Sequence, residues 1–490
     1  MIFHSLDFAI FIVLLTAAYW ALPRRGQNVL LLAGSGVFYG WVHPWFLVLI
    51  AATILVDYGA ARGIAARPAR RRAFLWLALA SNLGLLGFFK YFDFFVGNVS
   101  AVLAAAGFRV PVPALNVVLP VGISFYTFQA LGYVIDVYWR RTPARTSLVD
   151  VAAFIAFFPN LLAGPIMRAS TLLRQVERER RFSPAAARDA TLLLVWGYFK
   201  KLVIADNVGV VADKVFALQS PEFFVLWAGV FAFSIQIYAD FSAYADIARG
   251  VAKWLGIDLV KNFEHPYLAK GPTEFWRRWN ISLSTWFRDY VFLPVAYRLS
   301  DRIVADRRFL VDSATWSYSG GMIITMLTAG LWHGASWNFV IWGAYHGLLL
   351  ALARIAGAVR KRRRRTHRWL APAQIAGMFL LTNLGWLFFR EVDLAQLVRH
   401  LALSPFESSV LGRQTGAYLF LLAALYSAPL WVQSLWVEFG GHDFVAAMVR
   451  DEERPAGGAV IAQALLAGLL FAGILVLHSR TSLDFIYFRF

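Results

Sequence analysis

Runs of roughly 20 predominantly apolar residues recur along this chain from residue 6 to residue 478, and nothing else in the sequence restricts its fold as much. A helix of about that length crosses the hydrocarbon of a bilayer, where no water is present to satisfy backbone polar groups. Helices bond their own backbone, so the runs predict an all-α polytopic integral membrane protein with about 11 transmembrane helices plus re-entrant segments. Hydrophobic side chains make up 59% of the 490 residues and charged ones 16%, which excludes an ordinary soluble domain.

The 47 Lys and Arg against 29 Asp and Glu leave a net charge of +18. These cations fall mainly in the short gaps between apolar runs, as the positive-inside rule requires, so no nucleic-acid partner is expected. There is no cysteine, which removes thiolate nucleophiles, disulfides and Cys-ligated zinc. The first run, Leu6 to Leu22, is followed by Pro23, Arg24 and Arg25 and has no basic residue before it. That is the reverse of a cleavable signal, and predicts a retained helix with its N-terminus outside.

Basic gaps at Arg24 and Arg25, at Arg62 to Arg72, and at Arg140 and Arg141 mark the cytoplasmic side. Between them fit helices over about 28–42, 45–60, 73–96 and 117–139. Residues 151–167 are apolar yet contain Pro159, Asn160, Gly164 and Pro165 and have basic gaps on both flanks, which predicts a re-entrant hairpin. Further spans are expected at 189–218, 223–250, 319–358, 371–389, 414–438 and 459–478. The Lys361 to Arg368 gap is cytoplasmic by the same count, leaving the C-terminus outside. No repeat and no soluble domain are evident, so 1–490 is expected to be a single membrane-embedded domain.

Residues 273–290, TEFWRRWNISLSTWFRDY, begin with Pro272, Thr273 and Glu274 and are expected to form one helix. Trp276, Trp279, Leu283, Trp286, Phe287 and Tyr290 would then share an arc, with Arg277, Ser284 and Arg288 on a neighbouring stripe and Asn280 at its edge. Two readings fit: an interfacial helix anchored by its aromatics, or a polar stripe facing a cavity that handles an anionic or thioester substrate.

Residues 319–358 are nearly twice one span and must break midway. The break is expected in Gly330-Leu331-Trp332-His333-Gly334-Ala335-Ser336-Trp337-Asn338, where glycines flank a histidine. Irregular backbone at membrane depth lines protein or a water-filled cavity, so His333 is either a proton acceptor or a brace for the break. His346 reads as structural. The remaining histidines show no metal-ligand spacing, and no metal site is expected. Asp240 and Asp246 pair with Arg249 or Lys253, or else line a chamber.

Several of these blocks carry a resemblance. FFPNLLAGPIMR (157–168), YADFSAYADIARG (238–250), EFWRRWNISLSTWFRDYVFLP (274–294), LWHGASWNFVIWGAYHG (331–347) and the terminal FIYFRF resemble the membrane-bound O-acyltransferase (MBOAT) superfamily, in its bacterial alginate O-acetylation branch. The resemblance implies a central passage between an external funnel and a cytoplasmic entrance, a motif-bearing core at about 117–358, and flanking helices in 1–116 and 369–490. It implies His333 as the catalytic histidine. Asn280 falls at the family's second polar position, where relatives often carry His; Asn is no base, so it is left an orienting or oxyanion-donating role.

Trp276, Arg277, Arg278, Ser284, Arg288, Trp332, Asn338, Asn160, Pro165 and Asp240 are the expected substrate- or donor-binding positions. The implied reaction moves an acetyl group from a cytoplasmic thioester, acetyl-CoA or an acyl carrier, to a hydroxyl of an envelope polysaccharide or of a periplasmic acyltransferase partner. No bound cofactor is implied, and the setting is multi-pass in a bacterial inner membrane. D-alanyl transfer from a carrier protein and transport of an envelope glycan are the alternatives, since broken helices and a buried histidine also suit a transporter.

Overall fold

A computed structural model describes residues 1–108, 118–302, 307–308, 311–359, 370–439, 457–479, 481 and 483–486. The basic gap at 361–368 and the last four residues of FIYFRF lie outside them. The chain packs as two compact units: one of Met1–Thr191 with Ile247–Val260, the other of Leu192–Asp246 with Lys261–Phe490. The helix Phe223–Trp254 belongs to both, changing unit at residue 246.

In the first unit the apolar runs become the helices Leu6–Trp20, Arg24–Gly40, Phe46–Ala66, the continuous stretch Pro68–Ala105 and Ile123–Tyr138. Leu6–Trp20 is capped by Ser5, whose hydroxyl accepts from the Phe8 N–H, and carries Asp7 in its first turn, where the helix dipole favours it. Residues 151–167 form no span. They build the short helices Leu148–Ile155 and Phe158–Leu161, and every residue from 151 to 167 is buried.

Asn160 holds this irregular backbone in place. Its amide donates to Gln129 Oε1 (2.8 Å) and to the Pro165 carbonyl (3.1 Å), while the Met167 N–H donates to the same Gln129 oxygen (3.2 Å). Non-helical chain is thereby satisfied inside protein, the condition for its presence at membrane depth. Gly122 (φ +80°) precedes Ile123–Tyr138, and a Cβ there would stand 2.7 Å from the Leu161 carbonyl oxygen.

The second unit is centred on a helical hairpin. Ser313–His333 is capped by Asp312, which accepts from the Thr315 N–H (2.6 Å), and ends where Gly334 turns extended; Trp337–Val359 returns. The expected break therefore falls within 334–336. Close backbone approach fixes the crossing: a Cβ on Gly330 would lie 2.2 Å from the Phe339 carbonyl oxygen, and one on Gly343 2.4 Å from that of Met326. Gly343→Val is expected to cost at least about 1–3 kcal/mol, read as a lower thermal midpoint of the purified protein. Gly357→Val on the same helix meets open space and serves as the control. Equal midpoints for the two variants would refute the close approach.

The unit also contains Ala371–Arg390, which packs on Trp337–Val359, together with Val410–Glu438, Gly457–Leu477, Lys200–Ala205 (π-helical) and Asp206–Phe216; Pro184–Phe199 passes from the first unit into it at residue 192. A two-residue antiparallel pairing, Arg307–Arg308 with Val311–Asp312, is the sole sheet among the described residues. Seven described helices are long and apolar enough to cross a membrane. Against the expectation of about eleven spans, Leu6–Trp20 falls short in length.

The single helix expected over 273–290 is corrected. Pro272–Arg278 ends at Trp279, whose backbone is extended, and Asn280 turns left-handed (φ 40°, ψ 58°) before Ile281–Phe287 begins. Asn tolerates that conformation better than other residues with a Cβ. Asn262 stabilises the turn from outside, its carbonyl accepting from the Ile281 N–H (2.9 Å) and its Oδ1 from the Ser282 N–H (3.0 Å). The chain then continues through a π-helical turn, Arg288–Phe292, into Leu293–Arg302.

Candidate active site

A cavity of about 310 Å³ lies within the second unit. Trp276 and Arg277 reach it from the helix before the Asn280 turn, and Ser284 and Arg288 from the chain after it; Tyr318 and His333 approach from the hairpin. Arg277 and Arg288 are exposed, while His333 is 7% exposed. The cavity thus has a cationic rim and an imidazole at its buried end, with walls that are mostly apolar. The turn at 279–280 abolishes the continuous stripe expected of one helix, yet Arg277, Ser284 and Arg288 still converge on the same space.

His333 is the last residue of its helix, immediately before the break at Gly334. Three aromatic rings fix it edge-on: Trp332 at 5.0 Å, Trp342 at 4.9 Å and Phe389 at 5.2 Å between centroids. Asn338 supports this from behind, its amide donating to the Phe389 carbonyl (3.0 Å). Trp332 and Asn338 are buried and do not line the cavity; they set the ring's orientation instead. Trp342, Phe389 and Tyr318 were not singled out from sequence. The signal for Trp342 was its place four residues before His346, one helical turn along the same face, where the two rings meet at 4.9 Å. His346 is enclosed by Trp342, Trp276 and Phe275, in keeping with a structural role.

The other positions lie elsewhere. Asn280 is buried (2% exposed) at the turn and is not on the cavity wall. Arg278 points away from it, into an ion pair with Glu274 (2.6 Å) and Glu438 (3.1 Å). Burial works against ionisation of Glu274, but the Lys270 N–H and Arg278 outweigh it and hold the carboxyl below its ordinary range. Asn160 and Pro165 belong to the first unit, in the fastening described above.

Asp240 binds Lys201 (3.0 Å) and accepts from the Ile486 N–H (2.7 Å), and Lys201 also meets Asp206 (2.9 Å) and donates to the Leu483 carbonyl (2.9 Å). Asp246 pairs with Lys200 (2.7 Å). Lysines from the π-helical segment Lys200–Ala205 thus pair with both carboxylates, and Lys253 pairs with Asp189 (3.9 Å) and Asp258 (3.8 Å). An α-helix read alone brings together only residues three and four apart, so a partner on another helix is invisible to it. No group of three or more potential metal ligands occurs among the described residues.

Multiple apolar helices, with an ionisable side chain buried at a helix break beside a cavity, define a multi-pass membrane protein with a candidate polar site. Residues 140–388 match the MBOAT, membrane-bound O-acyltransferase family. The chain is 36% identical to the probable alginate O-acetylase of Pseudomonas putida over the whole of both sequences. It is 32% identical to the peptidoglycan O-acetyltransferase of Helicobacter pylori over 78% of this chain and 75% of that one. To the teichoic acid D-alanyltransferase of Bacillus subtilis it is 24% identical over 56% of this chain and 70% of that one. The chain belongs to the membrane-bound O-acyltransferase family and is an O-acyltransferase, which decides for an enzyme over a transporter.

Proposed function

We propose that this enzyme transfers an acetyl group from a cytoplasmic thioester, most simply acetyl-CoA, to a hydroxyl presented on the outer side of a bacterial inner membrane by an envelope polysaccharide or a periplasmic relay protein. The observation that carries this reading is the buried His333 imidazole at the inner end of a cavity whose rim is Arg277 and Arg288. Acetyl is favoured over D-alanyl because the acetylases named above match more of the chain at higher identity than the D-alanyltransferase does.

His333 takes the acceptor's hydroxyl proton as the oxygen attacks the thioester carbonyl. The tetrahedral intermediate collapses with cleavage of the C–S bond, and the imidazolium returns its proton to the leaving thiolate. Arg277 and Arg288 hold the donor's phosphates at the rim, where guanidinium pairs well with phosphate. Trp276 and Ser284 line the path of the acyl arm. Trp332 and Asn338 orient the imidazole. Asn280 is assigned the turn that brings both arginines to one mouth rather than contact with the reacting atoms, and Arg278, Asp240, Asn160 and Pro165 are assigned to the scaffold.

Purified enzyme in sealed vesicles, given radiolabelled acetyl-CoA on one face and acceptor on the other, tests the reading: label should reach the acceptor without acetyl-CoA crossing. Arg277→Ala with Arg288→Ala should raise the donor KM about tenfold or more, as expected for the loss of charge-assisted bonds worth about 1.5–3 kcal/mol each. Transfer from a D-alanyl carrier protein with none from acetyl-CoA would overturn the choice of acyl group.

A further inference from the structure

The cavity at His333 is longer than an acetyl group needs. Tyr318, Met322, Met326, Ala329 and His333 line it at intervals of three or four residues, so one face of the helix Ser313–His333 forms its long wall. At the helical rise that wall runs about 22 Å from Tyr318 to His333. The two carbons of an acetyl group fill only the end beside the imidazole.

The remaining length is lined for hydrocarbon. The return helix is antiparallel, with Gly343 against Met326 and Gly347 against Ile323, so Leu350 belongs to the Tyr318 end of the cavity. Phe292 belongs there too, its ring meeting that of Tyr318 at 5.1 Å. Hydroxyls in the wall give their protons to their own backbone: Thr325 to the Gly321 carbonyl (2.6 Å), Ser284 to that of Trp279 (3.0 Å) and Thr285 to that of Ile281 (2.8 Å). A hydroxyl has one proton to donate, so none of the three has one left for a guest's carbonyl or phosphate oxygen. The amide carbonyls of a pantetheine arm would go unmatched along this face, which favours the route past Trp276 to Arg277 and Arg288 for that arm. An alkyl chain asks for no such partner, and methionine, unbranched and flexible, adapts to chains of different length.

Ala329 joins the two parts of the cavity. It stands one helical turn before His333 on the same face, and its methyl group leaves the space beside the imidazole continuous with the apolar length beyond. We propose that this face binds the hydrocarbon chain of the donor's acyl group, so that the enzyme takes medium-chain acyl thioesters as well as acetyl, with Ala329 admitting the chain. The assignment rests on the acyl-transfer reading and widens its donor class. The reaction balances as before: the C–S bond breaks, the ester C–O bond forms, and the hydroxyl proton passes through His333 to the leaving thiolate. Each methylene buried contributes about a fourfold gain in affinity.

The test is displacement of radiolabelled acetyl-CoA from the full-length protein in nanodiscs by hexanoyl- and dodecanoyl-CoA, with empty nanodiscs subtracted. It is paired with His333-dependent release of CoA from each donor by inverted inner-membrane vesicles, which keep the acceptor side enclosed. Hexanoyl-CoA should bind the wild type at least tenfold more tightly than acetyl-CoA and support release. Ala329→Leu should weaken hexanoyl-CoA tenfold or more relative to acetyl-CoA. Met322→Trp, at a half-buried position far along the wall, should weaken dodecanoyl-CoA by as much relative to hexanoyl-CoA. Wild-type binding of hexanoyl-CoA no tighter than that of acetyl-CoA, or release from acetyl-CoA with none from hexanoyl-CoA, overturns the acyl groove and leaves the acyl-transfer reading intact; neither result depends on how a variant folds. Equal loss of acetyl-CoA and dodecanoyl-CoA in a Met322→Trp protein that melts like the wild type also overturns it, because the face then holds the donor's arm. Failure of acetyl-CoA itself to bind and to release CoA overturns the acyl-transfer reading, and the groove with it.

Discussion

Purified His333→Ala is expected to transfer acyl groups about 10²–10⁴ times more slowly than the wild type, or worse, because general-base assistance is typically worth that much. In free energy this is about 2.7–5.5 kcal/mol of lost transition-state stabilisation. Among the described residues no other histidine lines the cavity, and His346 is walled off behind Trp342 and Trp276. The truncation also removes a ring that three aromatics pack against, so part of any loss is structural. His333→Gln separates the two contributions: it fills most of the space and keeps a polar group, but it cannot carry the proton. Both variants should lose turnover alike, with the glutamine protein melting close to the wild type. Near-normal transfer by either one would remove His333 from the mechanism.

Lys201→Met is expected to have the largest effect on stability. Its ammonium is the shared partner of Asp206 and Asp240, all three side chains are nearly inaccessible, and the same group ties down the Leu483 carbonyl. Without it two carboxylates remain buried beside each other. Breaking a buried pair by removing one partner costs about 3–5 kcal/mol, a large share of the 5–15 kcal/mol that folded proteins typically have. The variant should express poorly or melt well below the wild type. The triple variant Lys201→Met, Asp206→Asn, Asp240→Asn should recover much of the loss, since no charge is then left unpaired. A Lys201→Met protein as stable as the wild type would refute the cluster's structural role.

That cluster also shows where sequence reasoning stopped. Asp240 and Asp246 were legible as costly intramembrane carboxylates requiring a counter-charge. Their partners were sought on their own helix, whereas Lys200 and Lys201 lie some 40 residues earlier, turned inward by a π-helical segment that no local rule announces. Asn280 is a similar case. The window 273–290 contains no Gly or Pro after Pro272 to mark a break, and the turn at Asn280 is held by hydrogen bonds that the Ile281 and Ser282 N–H groups donate to Asn262, which lies outside that window.

Apolar length, basic gaps and paired glycines are properties of the chain read locally. They sufficed for the many-helix membrane architecture, for the break just after His333 and for the irregular 151–167 segment, because a bilayer punishes any unsatisfied backbone wherever it occurs. Which cations face the cavity was decided only by packing. Arg277 and Arg288 reach the mouth while Arg278, one residue from the first, is taken by Glu274 and Glu438. Side-chain direction on either side of a turn, and the choice among competing ion-pair partners, depend on residues distant in sequence, and those meet only once the helices have assembled.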